Sequence, residues 1–164
     1  MTIYVRDAMA TDVHTIAPDL PLAEFEERSI ACGVSGFPVV DGGRLVGIVS
    51  RSDVIRTLAV ERTYEGQLSD EYDDAANDTL DEAAQHMADT EARVGARIAR
   101  LCVKDAMHTD VATAEPGQPI EQAAKNMLER RVHRLPVVEG DQLAGIVTAL
   151  DLARLVAEGR LAAT

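Results

Sequence analysis

At 164 residues the chain is long enough for one ordinary domain, or for two small halves that share a core. Hydrophobic residues make up 46% of it but aromatic residues only 3%, with no Trp, so an aliphatic core is expected. A formal net charge of -12 repels nucleic-acid backbones and argues against general DNA or RNA binding.

The opening Met1–Asp7 lacks the apolar region of a signal peptide, and no run approaches a membrane span. A soluble cytoplasmic protein that does not engage membranes is expected. A short strand is predicted at Val13–Ile16. Pro18 and Pro21 mark a turn and a helix start. The helix runs from Leu22 to Cys32 and stops at Gly33. Strands Phe37–Val40 and Leu45–Ser50 follow, joined across Asp41-Gly42-Gly43, a hairpin signal. A second helix begins after Ser50 and continues through Arg56–Tyr64.

Gln67–Asp78 is acidic and lacks calcium-loop spacing, so it reads as a solvated loop. Thr79 and Glu82 form a capping box that opens a helix. Its apolar stripe is Leu80, Ala84, Met87, Val94, Ile98 and Leu101. That stripe suits either a cover for the protein's own core or a face for a partner.

The later elements repeat the earlier ones. A shift of 98 residues lays Val5–Leu58 on Val103–Val156 without a gap, with 21 of 54 pairs identical. A strand is therefore expected at Val111–Ala114, and a helix from Ile120 to Arg131. Strands at Leu135–Val138 and Leu143–Thr148 should be joined across Glu139-Gly140-Asp141, with a last helix after Thr148. Each copy reads strand, helix, strand, strand, helix. Either half alone is small, and packing sheet against sheet would complete one core.

Both copies end alike, as Gly47-Ile48-Val49-Ser50-Arg51-Ser52-Asp53 and Gly145-Ile146-Val147-Thr148-Ala149-Leu150-Asp151. A strand here feeds a helix start, bringing backbone donors, a hydroxyl and a carboxylate to one sheet edge. Such an edge is either a plain cap or a seat for a phosphorylated ribose, with N–H groups facing phosphate and Asp accepting from sugar hydroxyls.

The doubled pattern of Asp-Ala-Met opening, Phe/Leu-Pro-Val-Val strand and Gly-Ile-Val-Ser/Thr-x-x-Asp ending resembles the cystathionine β-synthase (CBS) domain. Two tandem copies resemble a CBS pair, or Bateman module. The implied fold is α+β, with two β-α-β-β-α CBS repeats packed through their sheets into one pseudo-two-fold module. Repeat 1 would cover 1–58, the acidic loop and helix 59–101, and repeat 2 with a C-terminal extension 102–164.

The resemblance implies an adenine nucleotide, AMP, ADP or ATP, bound between the repeats. Asp53 and Asp151 match the ribose-binding carboxylates, and Ser50 and Thr148 the accompanying hydroxyls. Thr15, Ile16 and Ala17, with Thr113 and Ala114, match the stretch that holds the base through backbone groups. Phe37, Pro38, Leu135 and Pro136 would form its apolar wall. His133 and Arg134 resemble the phosphate-contacting His-Arg pair of the gamma subunit of AMP-activated protein kinase. Repeat 1 has Ser35 and Gly36 there, so the cation-rich cleft should be asymmetric; Arg51 is a further candidate. S-adenosylmethionine is the alternative ligand, though it leaves Arg134 without a phosphate. The resemblance also implies a homodimer signalling to a separate, unidentified protein, with a ligand-free scaffold as the rival reading.

Lys104 and Lys125 are the only lysines. High Asp/Glu with so little Lys resembles proteins of salt-loving archaea, whose self-repulsion molar salt screens. Cys32 and Cys102 stand apart in no zinc spacing, and His14, His86 and His108 fit no metal-ligand pattern. No Walker loop or nucleophile elbow is present, so neither catalysis nor a bound cofactor is expected.

Overall fold

The computed structural model describes residues 2–70 and 80–161. Among these, the chain order is α1 (Leu22–Cys32), β1 (Gly36–Asp41), β2 (Arg44–Ser50), α2 (Arg51–Asp70), α3 (Leu80–Ile98), α4 (Val103–Ala106), α5 (Ile120–Arg130), β3 (Arg134–Glu139), β4 (Gln142–Thr148) and α6 (Ala149–Ala157). A 3-10 turn at Val5–Asp7 precedes them. No helix among the described residues is long and apolar enough to cross a membrane.

The strands form one sheet in the order β1-β2-β4-β3. β3 and β4 are an antiparallel hairpin with Arg134 opposite Thr148 and a register shift after Val137. β2 meets β4 at Arg44↔Gln142, so the two hairpins join edge to edge. Leu45 donates to the Asp141 carbonyl and Leu143 to that of Gly43, closing the junction.

The predicted strands at Val13–Ile16 and Val111–Ala114 shrink to single parallel bridges, Ile16↔Val39 and Ala114↔Val137. Each is one residue accepting and donating once, so no ladder propagates. α1 has the predicted bounds, and Gly33 closes it with φ 65. α5 stops one residue before the expected end, because Arg131 takes the same left-handed conformation with φ 54. A Cβ there is strained where glycine is not. α2 runs on to Asp70, so Gln67–Asp70 are helical rather than loop. The rest of the acidic stretch and the Thr79 cap lie outside the described residues. In the α3 stripe, Val94 and Ile98 are half-buried, as is Leu101 just beyond.

By contacts the chain forms two compact units that interleave the repeats. The first comprises Met1–Ile16, Pro38–Ile48 and His108–Thr164. Its core gathers Val5, Ile120, Leu135, Val137, Val147 and Leu155, each almost without exposure. The leader at Val5–Ala10 docks in this unit on second-copy elements. Val5 N–H donates to the Gln118 carbonyl, and Ala10 and Ile146 exchange two bonds of 2.9 Å. The Asp-Ala-Met opening has a physical basis here: the Asp7 carboxylate accepts the Tyr4 amide, Ala8 is buried, and Met9 lies over Gly145. A Cβ on Gly145 would stand 2.7 Å from the Ala10 carbonyl oxygen, so the close approach of the leader requires glycine there.

The second unit comprises Ala17–Phe37 and Val49–Met107. Its core holds Leu22, Phe25, Phe37, Val49 and Val103. Phe25 and Phe37 meet edge to face at 5.6 Å, a favourable aromatic geometry. The second leader docks here as the first does in its unit, with Val103 N–H donating to the Leu20 carbonyl. α2 and α3 are tied by an ion pair of 2.7 Å between Arg97 and Glu61.

Candidate functional site

The second-copy edge lies wholly within the first unit. Thr148 ends β4 in an extended conformation and caps α6. Its amide and hydroxyl both donate to Asp151 Oδ2, at 2.9 and 2.7 Å, and its hydroxyl accepts the Asp151 N–H at 3.3 Å. The Ala149 N–H donates to the His133 carbonyl at 2.9 Å. Two of the first three helix donors are therefore occupied from within, which narrows what α6 offers an anion.

Asp151 Oδ1 faces the other way and accepts from Arg154 Nη2 at 3.0 Å. The same nitrogen donates to the Ala8 carbonyl at 3.3 Å. Arg134 opens β3 directly across from Thr148, so the cation and the capping hydroxyl residue are cross-strand neighbours. Arg134 is half-buried, and among the described residues no carboxylate pairs with it. His133 is exposed. This edge thus carries a hydroxyl and an oriented carboxylate at the start of α6, with Arg134 opposite Thr148 in the strand register.

The expected base-binding stretch fares differently. Ala114 is buried, and both its backbone groups are taken, by the Pro136 carbonyl and the Val138 amide. It has no free N–H for a base. Thr113 is half-buried, and its carbonyl accepts Asn126 Nδ2 at 3.2 Å. Leu135 and Pro136 are fully buried, so their side chains belong to the core rather than to a surface wall.

First-copy candidates fall in both units. In the first unit, Thr15 is exposed, Pro38 is buried, and buried Ile16 spends its N–H on the Pro38 carbonyl and its own carbonyl on the Val40 amide. In the second unit, Ser50 donates its amide and hydroxyl to Asp53 Oδ2 at 2.9 and 2.6 Å, and Arg56 pairs with Asp53 Oδ1 at 3.3 Å. Arg51 is not a free cation: it grips Glu26 through two contacts, at 3.1 and 2.9 Å. A phosphate would have to displace that carboxylate. Phe37 is a core residue at 1% exposure, while Ala17 is exposed. Gly36, the counterpart of Arg134, faces the Val49 carbonyl, where an added Cβ would stand 2.8 Å away. Close backbone approach thus keeps a cation out of that position.

Arg56 and Arg154 were not anticipated as site residues. Their signal was present as an identical Arg three residues after each Asp, a spacing that lets one helix turn pair them. Among the described residues no three His, Cys, Asp or Glu side chains could hold a metal ion.

Residues 5–60 and 103–158 each match the family model for the CBS domain. The chain is 27% identical over 153 residues to the uncharacterized protein MJ1225 of Methanocaldococcus jannaschii, covering 93% of this chain and 42% of that one. It is 26% identical over 157 residues to homoserine O-acetyltransferase of Methanohalobium evestigatum, covering 94% and 24%. The chain thus spans less than half the length of either relative. Among solved structures, CBSX2 from Arabidopsis thaliana in complex with AMP superposes with a TM-score of 0.68 at 22% identity, covering 96% of this chain and 98% of that one. The CBS domain pair of MJ0100, in complex with 5′-methylthioadenosine and S-adenosyl-L-methionine, gives 0.66 at 21%, covering 97% and 99%. At these identities the two structures speak for the fold.

Proposed function

The chain belongs to the CBS-domain family, and from that premise we propose that it is a regulatory, non-catalytic module that binds an adenine nucleotide and signals its occupancy to a separate protein. One observation carries the reading: Arg134, without a carboxylate partner among the described residues, stands across the strand pair from Thr148, whose cap orients Asp151. A guanidinium is the best-shaped side chain for phosphate, and a carboxylate that keeps acceptor capacity suits a ribose diol. AMP is therefore the first ligand to test. Ribose would engage Asp151, with Thr148 beside it. Arg134 and exposed His133 would meet the phosphate, and the backbone near Thr113 would meet the base. The first-copy edge, with Ser50, Asp53 and a Glu26-bound Arg51, would be the weaker of the two. The module would comprise repeats at 1–58 and 102–164 around the 59–101 insertion.

S-adenosylmethionine is the second reading, favoured by the ligands of the MJ0100 structure. It would use Asp151 and leave Arg134 idle. Exposed Leu128, Leu150 and Val156 supply an apolar surface that a homodimer would cover. Ligand binding would then act by shifting the population between two arrangements of the module.

A thermal-shift panel of AMP, ADP, ATP, adenosine and S-adenosylmethionine in molar KCl tests the reading. Stabilisation by the phosphorylated ligands above adenosine supports it. A flat response to the whole panel would leave the scaffold reading standing.

A further inference from the structure

Arg154 bonds two acceptors that are distant in sequence. Nη2 donates to Asp151 Oδ1 at 3.0 Å and to the Ala8 carbonyl at 3.3 Å. Ala8 lies in the leader, two residues before Ala10, which exchanges a pair of bonds with Ile146 on β4. Ile146 is in turn two residues before Thr148, the cap that holds Asp151 Oδ2. The contacts close a ring: leader, β4, Thr148, Asp151, Arg154 and back to the leader. Gly145 lets the leader lie close enough for the ring to form. The Arg154 side chain is 56% exposed and that of Asp151 16%, so the pair sits at the rim of the edge rather than inside the core.

An exposed ion pair adds little to stability by itself, whereas a single guanidinium nitrogen whose two N–H bonds are held in one plane fixes the direction of both acceptors it bonds. We infer that Arg154 is a positioning residue that ties the Asp151 carboxylate to the leader segment, so that the carboxylate and Ala8–Ala10 move as one element. A lysine keeps the charge, but its ammonium rotates on a flexible stem and fixes no plane, so it does not hold the two acceptors in the same geometry. Coupling follows for any ligand that engages Asp151: by reciprocity, binding steadies the leader, and loosening the leader weakens binding. Only this last consequence rests on the nucleotide reading. The module would thereby report occupancy at a segment distant in sequence from the ligand carboxylate.

Amide hydrogen exchange on the full chain, resolved at Ala10 and Ile146, tests the tie. Without nucleotide, Arg154→Lys should exchange both amides at least threefold faster than wild type. The control Arg160→Lys, which alters the exposed Arg160–Glu158 pair, should not. With saturating AMP, both amides should slow in wild type and stay unchanged in Arg154→Lys, a response that a purely structural arginine would not abolish. Wild-type exchange at Ala10 in nucleotide-free Arg154→Lys overturns the inference, as does an undiminished AMP response in that variant. If AMP fails to bind wild type, the nucleotide reading falls, and the nucleotide-free comparison still decides the tie.

Discussion

Arg134 and Thr148 face each other across β3 and β4, at the one register position where the last strand residue is also a helix cap. The strand pair thereby sets Arg134 opposite the residue whose amide and hydroxyl orient the Asp151 carboxylate. The first copy lacks the cation, because Gly36 meets the Val49 carbonyl where a side chain would begin. Arg134 thus has no counterpart at the first-copy edge, where Arg51 and Arg56 pair with Glu26 and Asp53.

The Asp151 carboxylate serves both cap and ligand in this scheme. Asp151→Ala removes the acceptor for the Thr148 amide and hydroxyl. It should cost about 1 kcal/mol of stability, the usual scale for a lost cap, measured by urea denaturation. AMP affinity should fall at least tenfold by calorimetry. Asp53→Ala should lose similar stability, since Asp53 accepts the Ser50 amide and hydroxyl in the same way, but much less affinity.

Gly145 bears on leader docking. Gly145→Ala places a Cβ 2.7 Å from the Ala10 carbonyl oxygen and 3.0 Å from Met9 Sδ. The nearer atom is backbone, so a side-chain shift cannot relieve it. A loss of about 1–3 kcal/mol is expected from overpacking, and adding Met9→Ala should not restore it. Denaturation of the single and double variants decides the point.

Two helix ends differ by one side chain. Gly33 and Arg131 both sit at positive φ, 65 and 54. Arg131→Gly should stabilise the protein and Gly33→Ala destabilise it, each by about 1 kcal/mol, read as opposite shifts in melting midpoint. Equal destabilisation by both would show that Arg131 contributes something beyond its strained backbone.

These ends also show what a sequence discloses. Glycine after an amphipathic run announced the end of α1. Nothing in Arg131 announced a left-handed residue, so the sequence pattern overran α5 by one position. The first strand of each copy was over-read, because β-branched runs indicate extended chain and not whether neighbours bond along its length. Ser50, Asp53, Thr148 and Asp151 were legible because their bonds are local, three residues apart. Arg51 with Glu26, and Arg154 with Ala8, span 25 and 146 residues, and only the folded chain shows them. The packing of Phe37, expected in an apolar wall, is likewise non-local: its ring meets Phe25 edge to face in the core.

The charge of -12 gives a further expectation. Raising KCl from about 0.1 M to 1 M shortens the screening length from ~10 Å to ~3 Å. Self-repulsion should weaken and the melting midpoint should rise. Exposed pairs such as Arg44–Asp141 weaken too, but each is worth little. A midpoint that falls with KCl would show that ion pairs outweigh the repulsion.

Calorimetry of AMP and adenosine on wild type and Arg134→Ala tests the charged edge most directly. AMP should bind wild type more tightly than adenosine, and Arg134→Ala should lose at least tenfold for AMP while adenosine changes less than twofold. Equal losses for the two ligands, or no preference for AMP in wild type, would contradict a phosphate role for Arg134.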